Sequence, residues 1–327
     1  MTKVLLLGLG RWGVNHLRNL NAMPIELYVA EADAKRLEPA RKLGLPEARL
    51  TANYRDFAAK VDCVVVVTPA QTHFALCGEF LDAGKDVFVE KPITLTSAEA
   101  CQLAELAEQR KRILQVGHIF RFDTASQWLR DAIQAGEFGR LQILRSNFSG
   151  FKRPRNDSGV MFADAIHFAD LFNYFLGRAP ARVFAVTQDF MGRGMEDTSL
   201  ISLEYETAQG VVWGTIETNY FLPGKFREVA VIGSDLSAVC DYNVSQYKIK
   251  TFANRHVKEG GDFKAVEGAL HQVECPPEEP LLAELRAFVD SVQTRKAPRA
   301  DGHAGAESVR VIEAAMESAK TGKVVKL

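Results

Sequence analysis

The sequence predicts an α/β protein of two domains, the first with a doubly wound parallel sheet and the second with an open, mainly antiparallel sheet. In the first third of the 327 residues, helical segments alternate with apolar runs such as KVLLL (3–7) and CVVVV (63–67). Parallel strands covered by helices on both faces have this composition. Beyond about residue 120 the segments alternate apolar with polar residues, as in EYETAQGVVWGTIETNYF (204–221). That alternation is typical of antiparallel strands with two different faces.

The first predicted domain is residues 1–119, and its elements follow one another as strand, helix, strand. The expected strands are 3–7, 26–31, 63–67, 86–90 and 113–117, and the expected helices are 12–21, 33–44, 72–84 and 98–110. Thr96 and Glu99 form a capping box before the last of these helices.

The second predicted domain is residues 120–327. Its expected strands are 140–149, 181–190, 197–205, 211–220, 227–233 and 236–242, and its expected helices are 124–136, 162–177, 280–294 and 304–320.

The composition excludes several classes of function. Forty basic and 41 acidic residues leave a net charge of −1, which disfavours general nucleic-acid or membrane-surface binding. The N-terminal apolar run is too short for a signal peptide, and no segment approaches the roughly 20 apolar residues of a transmembrane helix. The five cysteines include no C-x-x-C pair, which argues against disulfides and zinc and favours the cytoplasm. No histidine pair has metal-ligand spacing, so no metal is expected.

The sequence G-L-G-R-W-G (8–13) follows the first strand and opens a helix. In this G-x-G-x-x-G pattern, Gly8 permits a tight turn, Gly10 lets a pyrophosphate approach the backbone, and Gly13 lets the helix pack on the strand. The N-terminus of the helix then stabilises the negative charge of the pyrophosphate. The motif therefore predicts a dinucleotide site, with contacts from Gly8, Gly10, Arg11, Trp12 and Gly13.

Glu31 ends the second predicted strand, 18 residues after Gly13. A carboxylate at this place accepts hydrogen bonds from ribose hydroxyls and repels a 2′-phosphate, so NAD is predicted rather than NADP. Arg11 and Arg36 could meet a 2′-phosphate, but both are interpreted as solvated. The alternative is a glycine turn followed by a solvated acid, which the strand–turn–helix context disfavours.

Two further strands end in Thr68-Pro69 and in Glu90-Lys91-Pro92. The carboxyl ends of parallel strands face the ligand crevice of a doubly wound sheet. Lys91 is therefore expected near the nicotinamide, where an ammonium group can hydrogen-bond a substrate hydroxyl and stabilise a developing alkoxide. The alternative is a lysine that ends a strand and points to water.

The segment VVVVTPAQTHFALCGEFLDAGKDVFVEKPITLTSAEA (64–100) resembles the signature of the glucose–fructose oxidoreductase, inositol dehydrogenase and rhizopine-catabolism (Gfo/Idh/MocA) family. The resemblance continues through VGHIFRF (116–122), the helix around His167 and the closing segment 301–327.

The resemblance implies a nucleotide-binding domain followed by an open α/β sheet domain. It also implies reversible hydride transfer between a nicotinamide cofactor and a sugar or cyclitol carbon, with Lys91 at the reaction centre. Thr68, Pro69, His73 and Glu90 are then expected beside the cofactor, and the Lys91–Pro92 bond is expected to be cis. The exposed face of the C-terminal sheet is expected to build a homodimer or homotetramer.

The second candidate catalytic group is His167, which lies on a predicted helix with Asp164 and Asp170. A spacing of three residues puts the three side chains on one broad face, and a histidine near a carboxylate suits proton transfer near neutral pH. The family's helix has its aspartate four residues before the histidine, where this chain has Ala163, so the role of Asp164 in orienting His167 is an open question. The alternative is a core histidine on a phenylalanine-rich helix.

The loop FKRPRNDSG (151–159) carries Lys152, Arg153 and Arg155 ahead of that helix. Clustered cations suit a phosphate or diphosphate, and the alternative is a solvated basic loop. GHIFRFD (117–123) is similar to the GHIERFNP form of family members that oxidise UDP-linked N-acetylhexosamines, although Phe120, Asp123 and Thr124 depart from it. The expected substrate contacts are His118, Arg121, Lys152, Arg153, Arg155, Asp164 and His167.

The predicted function is NAD-dependent oxidation of a ring secondary hydroxyl, C3, of a UDP-linked N-acetylhexosamine. The alternatives are an inositol or free-sugar dehydrogenase and a non-catalytic NAD(P)-sensing regulator. A regulator of this fold can lose the lysine and the histidine, and this chain has both Lys91 and His167. The other histidines, His16, His256, His271 and His303, are interpreted as surface or packing residues.

Overall fold

A computed structural model describes all 327 residues. The chain forms two compact units, Met1–Phe122 with Glu279–Val309, and Asp123–Glu278 with Arg310–Leu327. None of the helices combines the length with the apolar composition that crossing a bilayer requires.

The first unit contains a six-stranded parallel sheet in the order β3-β2-β1-β4-β5-β6. Its strands are β1 (Lys3–Leu7), β2 (Glu26–Ala30), β3 (Leu50–Thr51), β4 (Cys63–Val66), β5 (Asp86–Glu90) and β6 (Leu114–Gly117). Its first helices are α1 (Gly13–Asn21), α2 (Glu38–Lys42), α3 (Arg55–Ala58), α4 (His73–Asp82) and α5 (Ser97–Arg110). The chain order reverses between β1 and β4, so the carboxyl ends of these strands border the ligand crevice. The predicted doubly wound sheet is confirmed, and only the two-residue strand β3 was not predicted.

The second unit contains a nine-stranded sheet in the order β16-β13-β12-β11-β7-β10-β9-β8-β17. Its strands are β7 (Leu141–Ser149), β8 (Arg182–Gln188), β9 (Thr198–Thr207), β10 (Gly210–Asn219), β11 (Glu228–Gly233), β12 (Ser237–Asp241), β13 (Ile249–Phe252) and β16 (Leu270–Val273), joined later by β17. Only β7 and β10 pair in parallel, so the mainly antiparallel sheet is confirmed. A separate hairpin, β14 (Arg255–Glu259) and β15 (Asp262–Val266), extends from it with every residue exposed.

Two helical segments of the second unit precede the strand β8. They are α6 (Thr124–Gln134) and α7 (Ile166–Leu176), and a π-helical turn at Met161–Ala165 leads directly into α7. A π turn inside a helix is rare and is frequent at functional sites. The predicted helix 162–177 is therefore a continuous helical segment that begins as a π-helical turn and continues as an α-helix.

The C-terminal segment contributes to both units through α8 (Pro280–Thr294), α9 (Gly302–Thr321) and β17 (Val325–Lys326). The sequence analysis placed both helices in the second domain, whereas α8 belongs to the first unit. The reason is burial, because the Phe288 ring lies 5.7 Å from that of Phe88, and Leu281 and Leu285 are buried in the same core. The division of roles between residues 1–119 and 120–327 stays a prediction.

Candidate active site

The turn after β1 has the geometry that a dinucleotide pyrophosphate requires. Gly8 has a φ of +94°, and a Cβ on Gly13 would lie 2.1 Å from the Gly8 oxygen, so neither position tolerates a side chain. A Cβ on Gly10 would meet nothing within 4 Å, which leaves this backbone open to a ligand. The N-terminus of α1 follows directly. The residues present therefore fit the phosphates of NAD.

Glu31 joins the end of β2 to this turn. Its carboxylate accepts hydrogen bonds from the backbone N–H of Leu9 at 2.6 Å and of Asp33 at 3.0 Å. Each carboxylate oxygen has a second lone-pair site, so Glu31 retains the capacity to accept from ribose hydroxyls. Arg11 is exposed, and Arg36 lies 3.6 Å from Asp33 in a surface ion pair.

Glu90 is the centre of a buried cluster that the sequence did not indicate. Its Oε1 accepts hydrogen bonds from Trp12 Nε1 at 2.7 Å and lies 2.8 Å from His16 Nε2, while its Oε2 accepts the backbone N–H of Lys91 at 3.1 Å. Burial raises the pKa of Glu90, but the hydrogen bond and charge of His16, with the charge of Lys91 and the Trp12 bond, outweigh it and lower that pKa. Glu90 is therefore kept in its charged form, and its hydrogen bond to the Lys91 N–H fixes the backbone where Lys91 begins.

His16, interpreted from sequence as a surface or packing residue, is fully buried and is a partner in this cluster. The available signal was the spacing of Trp12 and His16, four residues apart at the start of α1, which places two donors on one helix face.

His73 connects the two strand ends that carry the Thr68-Pro69 and Lys91-Pro92 sequences. Its Nδ1 lies 2.8 Å from the Pro92 oxygen and its Nε2 lies 2.9 Å from the Thr68 oxygen. Burial lowers the pKa of His73, and the two carbonyls oppose this effect only in part. The neutral ring donates to one carbonyl at a time. His73 thus fixes the backbone on both sides of the predicted cofactor site.

Lys91 is partly exposed at the end of β5, and the Lys91–Pro92 bond is cis, as the resemblance implied. Two predicted substrate contacts of the same unit are buried instead. Arg121 donates to the Arg299 oxygen at 2.8 Å, and His118 Nε2 lies 3.2 Å from the Ser308 hydroxyl.

In the second unit, Asp164 and His167 lie where the π turn meets α7. The fixed rotation of 100° per residue used for a regular α-helix does not apply across a π turn, so the placement of Asp164 on a face shared with His167 stays a prediction. Asp164 Oδ2 accepts a hydrogen bond from Lys152 Nζ at 2.7 Å, and the His167 ring stacks on Phe148 at 5.5 Å. Asp170 is buried.

Lys152 and Arg227 surround the Phe148 ring with positive charge. Lys152 Nζ lies 4.8 Å and Arg227 Cζ 3.4 Å from the ring centroid, and Lys152 is also 5.3 Å from the Tyr220 centroid. Burial lowers the pKa of Lys152 and of Arg227, against the attraction of Asp164. Sequence reasoning found Lys152 but missed Arg227, which is 75 residues away along the chain.

The other cations of the loop have different surroundings. Arg155 makes a bidentate pair with Asp157, at 2.9 and 3.0 Å, and Arg153 is exposed. The helix with His167 is anchored nearby, because Glu196 accepts the Met161 N–H at 3.0 Å and its carboxylate occupies the place that a Cβ on Gly159 would take.

The five cysteines are free. No group of three or more His, Cys, Asp and Glu side chains is arranged to hold a metal ion.

Comparison with known proteins identifies a family for most of the chain. Residues 2–118 match the model of an oxidoreductase family with an NAD-binding Rossmann fold, and residues 130–327 match the C-terminal α/β domain of the same family. The scyllo-inositol 2-dehydrogenase (NAD(+)) of Bacillus subtilis is 28% identical over 98% of this chain and 95% of its own.

The UDP-N-acetylglucosamine 3-dehydrogenase of Acidithiobacillus ferrooxidans is 27% identical over 95% of this chain and 94% of its own. A solved structure of the enzyme of that name from this organism has a TM-score of 0.80 at 25% identity, and covers 97% of this chain and 96% of its own.

Proposed function

We propose a substrate for this chain from the premise that it belongs to the Gfo/Idh/MocA family of NAD-binding oxidoreductases. The chain is a dehydrogenase, and its cofactor is NAD. The proposed reaction is oxidation of a ring secondary hydroxyl, at C3, of a UDP-linked N-acetylhexosamine.

The observation that carries this proposal is the charge next to Asp164. Lys152 and Arg227 face the same aromatic ring as His167, and both are partly buried, which costs free energy unless an anion compensates. Asp164 supplies one negative charge for these two cations. An uncharged sugar or cyclitol needs no such cations, whereas a diphosphate accepts charge-assisted hydrogen bonds from them. The UDP-N-acetylglucosamine 3-dehydrogenase relative supports this choice.

The residues have distinct proposed tasks. Lys91 donates a hydrogen bond to the substrate hydroxyl and stabilises the negative charge that develops on its oxygen. His167 takes the hydroxyl proton. Gly8, Gly10, Gly13 and Glu31 hold the dinucleotide. When bound, NAD⁺ supplies the acceptor for the hydride that leaves the carbinol carbon.

The second copy of the chain is the partner proposed for the exposed face of the nine-stranded sheet. Val186 and Leu200 are paired across β8 and β9, and they are about half exposed with Trp213 and Val211 on β10. An apolar surface on three adjacent strands is typical of a subunit interface. Sedimentation of the wild type and of Trp213→Lys tests this: we expect a dimer or tetramer that dissociates in the variant, and a monomeric wild type would contradict it.

A competing candidate is an inositol dehydrogenase, which the scyllo-inositol relative favours. The two are separated by following NADH absorbance with UDP-N-acetylglucosamine, inositols and free hexoses. We expect the highest kcat/KM with the UDP-sugar. Turnover of an inositol with none of the UDP-sugar would contradict the proposal, and NAD binding without any turnover would favour the regulator.

A further inference from the structure

Two exposed phenylalanines lie beside the cation cluster of the second unit. Phe190 is 70% exposed and Phe221 38% exposed, and their rings meet edge to face with centroids 5.8 Å apart. Adjacent exposed aromatic rings form an apolar patch, and such patches often mark the site of a ligand or partner. The pair therefore needs an explanation beyond packing.

The pair is held by buried polar contacts and is not a loose loop feature. Asn219 Oδ1 accepts the backbone N–H of Phe221 at 3.1 Å and of Leu222 at 2.8 Å. Asp197 Oδ2 accepts the N–H of Met191, next to Phe190, at 2.8 Å. Both anchoring side chains are buried. The two rings are thus pre-positioned, which lowers the cost of binding a flat partner.

Arg193 connects this pair to the cations described above. It follows Phe190 by three residues, and its Cζ lies 5.9 Å from the ring of Tyr220, the neighbour of Phe221. Lys152 Nζ lies 5.3 Å from the centroid of the same Tyr220 ring. Arg193 Nη1 donates to the Arg155 oxygen at 2.7 Å, while its Nε and Nη2 have no hydrogen-bond partner. Both nitrogens are buried, where polar groups are ordinarily paired, so this guanidinium keeps donors that an anion can satisfy.

The contacts form a series within one unit, in which Phe148 and Tyr220 are buried and Phe221 and Phe190 are exposed. His167 stacks on Phe148, and Phe148 meets Lys152. Lys152 and Arg193 both lie near the Tyr220 ring. Phe221 is the next residue along the chain and meets Phe190. The chemistry changes along it from a proton acceptor to cations to exposed aromatic rings. A nucleoside diphosphate sugar has the same order of groups: a reacting hydroxyl, a diphosphate and a flat base.

We propose that Phe190 and Phe221 form the surface on which the base of a nucleoside diphosphate sugar stacks, with Arg193 meeting its diphosphate. This inference rests on the proposed nucleotide-sugar substrate and adds the residues that would select it. Stacking on aromatic side chains is tolerant of base identity. These residues would therefore distinguish a nucleotide sugar from a free sugar, but would discriminate little between different bases.

The test is the double variant Phe190→Ala/Phe221→Ala, assayed with UDP-N-acetylglucosamine and NAD⁺. We expect KM to rise about tenfold, within the roughly 5- to 150-fold that loss of one stacked base gives, while kcat is unchanged because the reacting atoms are not touched. Phe190→Trp/Phe221→Trp should restore KM. Phe263→Ala is the matched control, since Phe263 is 71% exposed on the β14–β15 hairpin.

A binding measurement separates this inference from the proposed function. UDP is titrated calorimetrically into the enzyme with saturating NAD⁺, and we expect the double variant and Arg193→Gln each to weaken UDP binding. An enzyme that oxidises the UDP-sugar with the same KM and UDP affinity in the double variant would overturn the inference and leave the proposed function standing. An enzyme that oxidises only inositol and binds no UDP would overturn both. A changed oligomeric state of the double variant would make the pair a contact between copies and overturn the inference.

Discussion

Glu90 and Asp164 are buried carboxylates that each lie beside a lysine, but their partners differ. In the first unit, Glu90 is surrounded by hydrogen-bond donors from one helix and from the backbone, namely Trp12, His16 and the Lys91 N–H. In the second unit, Asp164 faces a flexible cation, Lys152, with Arg227 nearby. The first arrangement fixes the geometry of a strand end. The second leaves a positive charge that an incoming anion can share.

The largest effect on activity is expected from substitution of Lys91, the residue that follows Glu90. Lys91→Met removes the proposed hydrogen-bond donor to the substrate hydroxyl, so we expect kcat to fall roughly 100- to 1,000-fold. NAD affinity should change little, because the proposed cofactor contacts are the glycine turn and Glu31. Steady-state kinetics and a fluorescence titration of NADH measure the two quantities.

Lys42→Met, at an exposed lysine of α2, is the control and should behave as the wild type. A Lys91→Met enzyme with more than a third of the wild-type kcat would show that Lys91 only ends a strand, and the proposed division of roles between the units would then be wrong.

His16→Leu tests whether His16 helps to hold Glu90 in its charged form. Loss of a hydrogen bond to a charged group should lower the free energy of unfolding by about 1.5–3 kcal/mol at neutral pH. The folded-state pKa of Glu90 is lowered, so its stabilisation is present above the unfolded pKa of about 4.3 and is lost as the pH falls through the folded pKa. Without His16 that folded pKa moves up toward the unfolded value, so Glu90 contributes less stability and its acid-induced loss is complete at a higher pH.

Urea unfolding across a pH series measures this shift, and His16→Gln, which keeps a donor, should recover part of the stability. Identical pH profiles for the wild type and His16→Leu would show that Trp12 and the Lys91 N–H suffice to hold the carboxylate.

The sequence predicted the first unit better than the second for a physical reason. Gly8, Gly10, Gly13 and Glu31 act through local backbone geometry, and a turn of that kind is specified within a few residues of chain. The buried strands β4 and β5 were likewise predicted from their apolar runs. His16 was missed because its partner Glu90 is 74 residues away, and nothing local shows that the two meet.

The second site is built from side chains on separate segments, and sequence spacing does not reveal such a set. Lys152 was visible in its basic loop, whereas Arg193 and Arg227 appeared as single cations in strands and turns. The hairpin β14–β15 was missed because both faces are exposed and carry charges, so the apolar alternation of a half-buried strand is absent. The π turn at Met161–Ala165, which contains Asp164, has no recognisable sequence signal.

Lys152→Met is expected to have a moderate effect that belongs to the second unit alone. We expect KM for UDP-N-acetylglucosamine to rise about tenfold, or about 1.4 kcal/mol, with kcat nearly unchanged. Because the single variant also leaves Asp164 without its ion-pair partner, Lys152→Met/Asp164→Asn is measured beside it. A KM that stays high in the double variant assigns the loss to the substrate.

Lys258→Met is the matched control for that variant, as an exposed cation of the hairpin β14–β15, and should change KM by less than about twofold. Full recovery of KM in Lys152→Met/Asp164→Asn would mean that the unpaired carboxylate caused the loss, and Lys152 would then have no role in binding the diphosphate.

The smallest effect expected has the opposite sign and concerns Asp157. The Asp157 carboxylate accepts two hydrogen bonds from the Arg155 guanidinium. These hydrogen bonds hold the pKa of Asp157 below its ordinary value. Exposed ion pairs contribute about 0–1 kcal/mol, so the diphosphate can compete with Asp157 for Arg155. Asp157→Asn should therefore lower KM for the UDP-sugar by up to about fivefold, more clearly at low salt, with inositol kinetics unaffected. A raised KM would mean that Asp157 instead holds Arg155 in the orientation that the substrate needs, and the loop would then resemble the preformed geometry around Glu90.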